Sequence, residues 1–357
     1  MTTGHVRVYN TFPALPDSYR DLLSGAGEGN FFSGLDWFEN LAANALEPGV
    51  TLNIYGLEDG GRALAALVLR APRSPQGSIL RDRDLSARAL SSFTNFQSCE
   101  FAPAIAPGAG PPKALLTPLF RYLASEKPKW DVVEINSIAL EGDLYEGLCA
   151  AMAEAGFVVR RFAHFGNWYE RIAVATYDEY LKQRDASDRK QFQNYSRKRR
   201  KLEKDHTLRL RIVSGQGEDV DQLVADYMQT YAASWKESEA FEAFMPNLLR
   251  VAARCGVLRM GVLYLDGAPV ATEVGLLVGG RATMIKTAYD ARFREHSVGA
   301  IVMMDVLKHL IEVDKVSEID FGRDDQSYKK LWMPQRRERW AIVACNPATV
   351  RGLIALA

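Results

Sequence analysis

What constrains this chain most is an order of elements that occurs twice. "LNIYGLEDGGRALAALVLRAP" (52–72) reads as strand, Asp-Gly-Gly turn at 59–61, strand, and "LRMGVLYLDGAPVATEVGLLVGG" (258–280) as strand, Asp-Gly turn at 266–267, strand. Such turns between apolar runs are strong hairpin signals, because both central positions need a positive φ. Downstream, "LLTPLFRYLASEKPKWDVVEINSI" (115–138) and "VGAIVMMDVLKHLIEVDKVSEIDFG" (298–322) each give a helix, a loop and a strand. In the second half a further strand, "RATMIKTAY" (281–289), precedes the helix, and 219–254 reads as two helices, "DVDQLVADYMQTYAASW" and "EAFEAFMPNLLRVAAR". The expectation is an α/β (α+β) fold with two domains of one plan, 1–165 and 166–357, each a mixed, mostly antiparallel sheet flanked by helices.

The 357 residues are enough for two such domains. Lys plus Arg and Asp plus Glu balance at 44 each, so no global field favours nucleic acid and anion binding must come from a local cluster. Four cysteines and five histidines are scattered without C-x-x-C or H-x-x-x-H spacing, so no metal site is expected and the thiols read as buried and free. The first residues lack the basic-then-apolar layout of a signal peptide, and no run of eighteen apolar residues occurs. A cytoplasmic protein is expected.

One stretch is strongly basic. Residues 182–204 hold ten Lys or Arg and three acidic residues, with Phe192, Tyr195 and Leu202 on one helical stripe completed by Arg199. A solvated helix with a thin packing stripe accounts for it; so does attraction to CoA phosphates, a lipid headgroup or the inner face of a membrane. RNA is a third reading, but the aromatics are too few for a stacking platform.

Two further stretches carry chemistry. In "REHSVGAIVMMDVLKHL" a helix opens after a polar loop, so the first amides, around Ser297, Val298, Gly299 and Ala300, face outward, with Arg294 alongside to add a charge-assisted contact. A serine-capped helix start is the plainer account. In "EIDFGRDDQSYKKLWMPQRRERWAIVAC" (318–345) ionisable and aromatic groups crowd the space just beyond a buried strand: Asp320, Asp324, Asp325, Tyr328, Lys329, Lys330 and Trp332.

These residues also carry a resemblance. The second half, about 166–347, resembles the FemAB-like, GNAT-type bacterial acyltransferases, especially the branch called BioF2-like or cellulose-biosynthesis-type. "SWKES" (234–238) follows a long helix; "YDARFREHSVGAIVMMDVLKHLIE" (289–312) is similar to that branch's "S-P-G" helix start, with Val298 where proline is common; "IDFGRDDQSYKKLW" (319–332) is similar to its "D-F-G-x-x-D-x-Y-K-x-x-W" segment. Arg294-x-x-Ser297-x-Gly299 has the spacing of the GNAT pyrophosphate loop, R/Q-x-x-G-x-G/A, with serine in place of the first glycine. "FTNFQSCEFAP" (93–103) resembles a recurrent piece of related sequences. The resemblance implies tandem GNAT folds, the first degenerate. It also implies an acyl-CoA donor rather than a permanent cofactor, and an amine acceptor, a sphingoid base among the candidates. FemA-type relatives take their acyl group from aminoacyl-tRNA instead, an alternative set aside because 176–204 makes a poor coiled-coil insertion. A non-catalytic module recognising lipid or polysaccharide is the third reading.

Acyl transfer to an amine needs a neutral amine, donors for the thioester oxygen and a proton for the departing sulfur. Asp320 is the expected base or amine-positioning group, or else a cap on the following turn. Tyr328 would protonate the sulfur, or pack at the rim. Glu273, an acid interrupting "VATEVGLLV", is either a base with a raised pKa or one half of a structural pair with Lys286. Lys286 otherwise marks a polar cleft at the donor, and Lys329 would hold a phosphate or Asp324. Trp332 is expected to pack beneath the loop. No cysteine has activating neighbours, so direct attack without a covalent intermediate is expected.

Overall fold

The computed structural model of the protein describes residues 4–71, 87–215, 217 and 219–356. They form two compact units: residues 1–166 with 338–357, and residues 167–337. The split expected from sequence differs at the C-terminus. Residues 338–357 pack with the first unit, because the last strand pairs there and buries its apolar side chains.

In unit 1, strands β1 (His5–Tyr9), β2 (Thr51–Asp59), β3 (Arg62–Ala71), β4 (Ala89–Ser92), β6 (Val132–Ile138) and β13 (Gln335–Cys345) lie in that order, and β5 (Ala104–Ile105) pairs with β3. Most pairings are antiparallel, with β4 and β6 parallel over Ala89–Ser91 and Val132–Glu134. Helices α1 (Asp17–Gly29), α2 (Leu35–Asn44), α3 (Pro112–Ser125) and α4 (Leu144–Glu154) complete the unit. The β2–β3 hairpin turns on Gly60 and Gly61, at φ 55° and 82°. Its predicted last residue, Pro72, lies outside the described residues.

Strand β7 (Val158–Arg171) leads into unit 2. There α5 (Tyr177–Lys182) starts with a capping box: the Thr176 hydroxyl accepts from the Glu179 amide, and the Glu179 carboxylate accepts from the Thr176 amide. The basic stretch is α6 (Ala186–Asp205), capped by the Asp185 carboxylate. Next come β8 (Leu208–Ser214), α7 (Val220–Ala232), α8 (Phe244–Arg254), β9 (Leu258–Leu265), β10 (Ala268–Val278), β11 (Arg281–Tyr289), α9 (Val298–Glu312), β12 (Glu318–Asp320) and α10 (Lys329–Trp332); α11 (Val350–Leu356) follows β13. The sheet runs β7–β12–β11–β10–β9–β8, antiparallel except for β11 and β12.

The hairpin at 266–267 has Asp266 and Gly267 at φ 51° and 84°, as its sequence requires. Helix α9 buries Val302, Val306 and Leu310 in the main core of the unit. The α6 stripe of Phe192 and Leu202 joins the same core. Helix α8 starts at Phe244, later than the sequence pattern suggests; Pro246 falls in its first turn, where a missing amide costs nothing. Residues 233–243 are therefore loop. Among the described residues no helix is long and apolar enough to cross a membrane.

Candidate active site in unit 2

Helix α9 opens on a serine in the left-handed region: Ser297 has φ 56° and ψ 40°. This is the position where the related motif carries glycine, which takes that conformation without steric cost. The Ser297 amide donates to the Arg294 carbonyl (3.1 Å), and the Ala300 amide donates to the Ser297 carbonyl (2.9 Å), so these two amides are engaged. Val298 and Gly299 are the first helical amides and have no acceptor within the helix. A side chain at Gly299 would meet the Tyr289 ring at 2.9 Å, so glycine lets the helix start sit against the end of β11. Lys198 of α6 donates to the Glu295 carbonyl (2.6 Å) and the Ser297 hydroxyl (2.9 Å). The basic helix thus reaches the start of α9, and Arg294 stands exposed beside it.

Strand β11 pairs along β10, but with β12 it pairs only from Arg281 to Thr283. Beyond Thr283, no described strand lies on that second side. A register shift at Val274/Gly275 skips Ile285, so the alternation of faces along β11 breaks there.

Glu273 lies opposite Thr287 in this register and is 2% exposed. Burial pushes its carboxyl up to about 8, opposed by a hydrogen bond from Thr287 and by the charges of Lys236 and Lys329, and its Oε2 has no partner. Lys286 pairs with Glu239, not with Glu273 as the sequence allowed. Lys236 donates to the Thr287 carbonyl (2.6 Å). Burial, and next the charge of Lys286, bring its ammonium down to about 8. Tyr328 leaves 47% of its surface exposed; its hydroxyl is raised by the burial of its remainder and then by the charges of Glu273 and Asp324. Glu273, Tyr328, Lys329 and Lys286 therefore gather at one place, with Lys236 as a member that sequence reasoning did not single out. Its signal was the "SWKES" motif, noted without a role for the lysine.

Asp320 stands apart from this group, on β12 opposite Thr283. It is 1% exposed; Oδ1 accepts from Asn167 Nδ2 (2.6 Å) and the Gly322 amide (2.7 Å), and Oδ2 from Arg337 (2.6 Å). Arg337 also holds Glu318 (2.7 Å) and Asn167 Oδ1 (2.7 Å) and lies over the Tyr169 ring. Burial alone would lower its guanidinium, but the two carboxylates outweigh burial and hold it above its ordinary value. These contacts direct Asp320 toward the turn after β12. Lys329 is engaged in that turn as well: it donates to the carbonyls of Phe321 (2.8 Å) and Arg323. Trp332 is buried against Phe192, Tyr195 and Phe321, and its carbonyl accepts from Tyr180 (2.9 Å). Much of the crowded segment is thus internal stapling, and Tyr328 is its member facing Glu273's field.

An α/β domain with a parallel strand pair that ends early, beside a helix start edged by cations, defines an acyltransferase-type fold. A family model for the acetyltransferase (GNAT) domain matches residues 189–330. Residues 189–330, within unit 2, are thus similar to a GNAT acetyltransferase domain. No curated protein matches the sequence. Among solved structures, FemX is similar at 10% identity over 98% of this chain and 99% of its own, with a TM-score of 0.57. The C-terminal domain of a putative lysylphosphatidylglycerol synthetase from Agrobacterium fabrum is similar at 14% identity over 95% and 94%, with a TM-score of 0.56. L-PGS from Bacillus licheniformis is similar at 12% identity over 96% and 95%, with a TM-score of 0.54. At these identities the likeness shows the fold.

Proposed function

We propose that the protein is an N-acyltransferase that moves an acyl group from a CoA thioester to an amine, by direct attack within unit 2. The amides of Val298 and Gly299, with Arg294 and Lys198, would hold the donor's pyrophosphate. The pantetheine arm would add to β11 beyond Thr283, as an extended segment adds to a strand that lacks a neighbour. Glu273 is assigned as the base that takes the proton from the acceptor amine, and Tyr328 as the acid that supplies one to the leaving sulfur. The observation that carries this reading is Glu273: a buried carboxyl with an unpartnered oxygen, pushed up to about 8 by its burial. Asp320 becomes a positioning group for the turn that bears Tyr328. Burial raises the thiols of Cys149 and Cys345, which favours no thiolate nucleophile at either.

The acceptor class we favour is a lipid amine such as a sphingoid base, met at an anionic membrane surface by α6. The outward Lys190, Arg197, Lys201 and Lys204 of that helix are exposed. The whole-chain likeness to FemX favours a second reading, in which the donor is an aminoacyl-tRNA, and the expectation against tRNA finds no support in the comparisons. Thermal shift separates the donors, because a ligand that binds only the folded state raises the melting temperature. Acetyl-CoA, a long-chain acyl-CoA and free CoA should each shift it. A shift with charged tRNA and none with any CoA species would replace the first reading by the second.

A further inference from the structure

Lys236 is the sole cation of the 233–243 loop, and the reaction outlined above gives it no task. The loop is fastened along β11. Trp235, 54% exposed, lies against Tyr289 with ring centroids 4.3 Å apart, Glu239 pairs with Lys286, and the Lys236 amine reaches the Thr287 carbonyl at 2.6 Å. Thr287 belongs to the half of β11 that lacks a second neighbouring strand. Strands pair at about 4.8 Å, so an arm added to this strand brings its carbonyl within about one strand spacing of the lysine nitrogen.

The charged groups whose fields reach Lys236 are Lys286 from β11, Glu273 from β10, Glu239 from its own loop and Lys329 from the turn before α10. Lys286 is engaged by Glu239, and Lys329 by backbone carbonyls. Glu273 keeps a free oxygen. Burial brings the ammonium of Lys236 down to about 8, so near pH 8 a large share of this amine is free of its proton. A lysine amine freed of its proton is a nucleophile.

We propose that Lys236 is a self-acylation site, modified by the protein's own acyl thioester when no acceptor amine is present. The inference rests on the reading that such a thioester adds to β11. The Nζ lone pair forms a bond to the thioester carbonyl carbon. The carbon–sulfur bond breaks with its electrons on sulfur. Nitrogen then gives up its proton to solvent water, and sulfur leaves as the thiol after taking one from solvent. The product is an ε-acyl-lysine; nothing is oxidised or reduced. An amide is a far poorer acyl donor than a thioester, so the group stays on and each chain is labelled once at this position.

The full chain, incubated at pH 8 with acetyl-CoA and separately with palmitoyl-CoA, is followed by intact mass and peptide mapping, with melting temperature recorded in parallel. The expected result is one acyl group per chain on Lys236, formed at least about ten times faster than on exposed Lys201 or Lys204. Lys236→Arg should lose that label while keeping the donor-induced thermal shift, and a small thioester without the nucleotide should label Lys236 more slowly than acetyl-CoA does. A donor that raises the melting temperature but leaves Lys236 unmodified overturns the inference and leaves the acyltransferase reading standing. No shift and no label overturns both.

Discussion

The two units follow one plan and differ in what fills it. Each has a hairpin, a strand, a helix and a second strand, and in each the two strands pair in parallel over three residues: 89–91 with 132–134 in unit 1, 281–283 with 318–320 in unit 2. In unit 1 the chain fills the space past that pairing with its own residues. Segment 93–103 returns so that the Phe101 amide donates to the Ser137 carbonyl (2.9 Å), and Asn136 Oδ1 accepts from Ser92 (2.9 Å) and Thr94 (3.0 Å). Phe93 and Phe101 are buried there, and α3 begins after an uncharged Pro-Gly stretch. In unit 2, no described strand lies on the β12 side of β11 past Thr283, and cations flank the start of α9. The same plan is filled by the chain in one case and left without a described strand on one side in the other; the site, not the fold, carries function.

The largest expected effect tests that contrast directly. Glu273→Gln should lower turnover by about two to four orders of magnitude with donor binding retained, while Asn136→Ala, in the filled gap of unit 1, should leave turnover within about twofold. With Glu273 in its proposed role as base, kcat/KM of the wild-type protein should rise with pH through an apparent pKa near 8. Equal loss of turnover in both variants would end the distinction between the units.

Stability gives the next largest effect. Asp320→Ala leaves Arg337 buried without its closest carboxylate partner and should cost about 3–5 kcal/mol by denaturant unfolding. Asn136→Ala removes neutral hydrogen bonds and should cost about 1–3 kcal/mol.

The pH dependence of stability belongs to unit 2 as well. Glu273 binds its proton more tightly folded, near 8, than unfolded, near 4.5, so its contribution is full below about 4.5 and is lost as pH rises to about 8. Lys236 runs the other way: its ammonium falls from 10.5 to about 8, so its contribution is full above about 10.5 and is lost as pH falls through about 8. A trough of stability near pH 8 follows. In calorimetric scans Glu273→Gln should remove its acid-side slope and Lys236→Met its alkaline-side slope, each at most about 1.4 kcal/mol per pH unit. Unit 1 variants should leave the trough in place.

The smallest effect compares two serines with positive φ. Ser137 in unit 1, at φ 61°, should gain about 0.5–1 kcal/mol on replacement by glycine. Ser297→Gly should gain less, because it also loses the hydrogen bond from Lys198. A clear stabilisation at Ser297 would mean that the Lys198 contact contributes nothing.

Some of this was legible before any coordinates. The hairpins, β11, the start of α9 and the apolar stripe of α6 follow from local pattern, since a turn residue or a period of 3.6 acts over a few residues. Glu273 stood out as an acid inside an apolar run. Asp320 was legible as an acid at the end of a buried strand, but its surroundings were hidden: Asn167 lies 153 positions away and Arg337 17. Lys236 was hidden for the same reason, its partner at Thr287 being 51 positions along the chain.

The sequence by itself determined the elements, their repeated order and the residue types available for chemistry, because propensity, turn geometry and amphipathic period are local. Tertiary structure decided which carboxylate is engaged and which keeps a free oxygen, which lysine reaches the part of β11 past its pairing with β12, and that the final strand returns to the first unit. Those outcomes depend on burial and on contacts between distant segments, and desolvation acts on a charge only once the chain has closed around it.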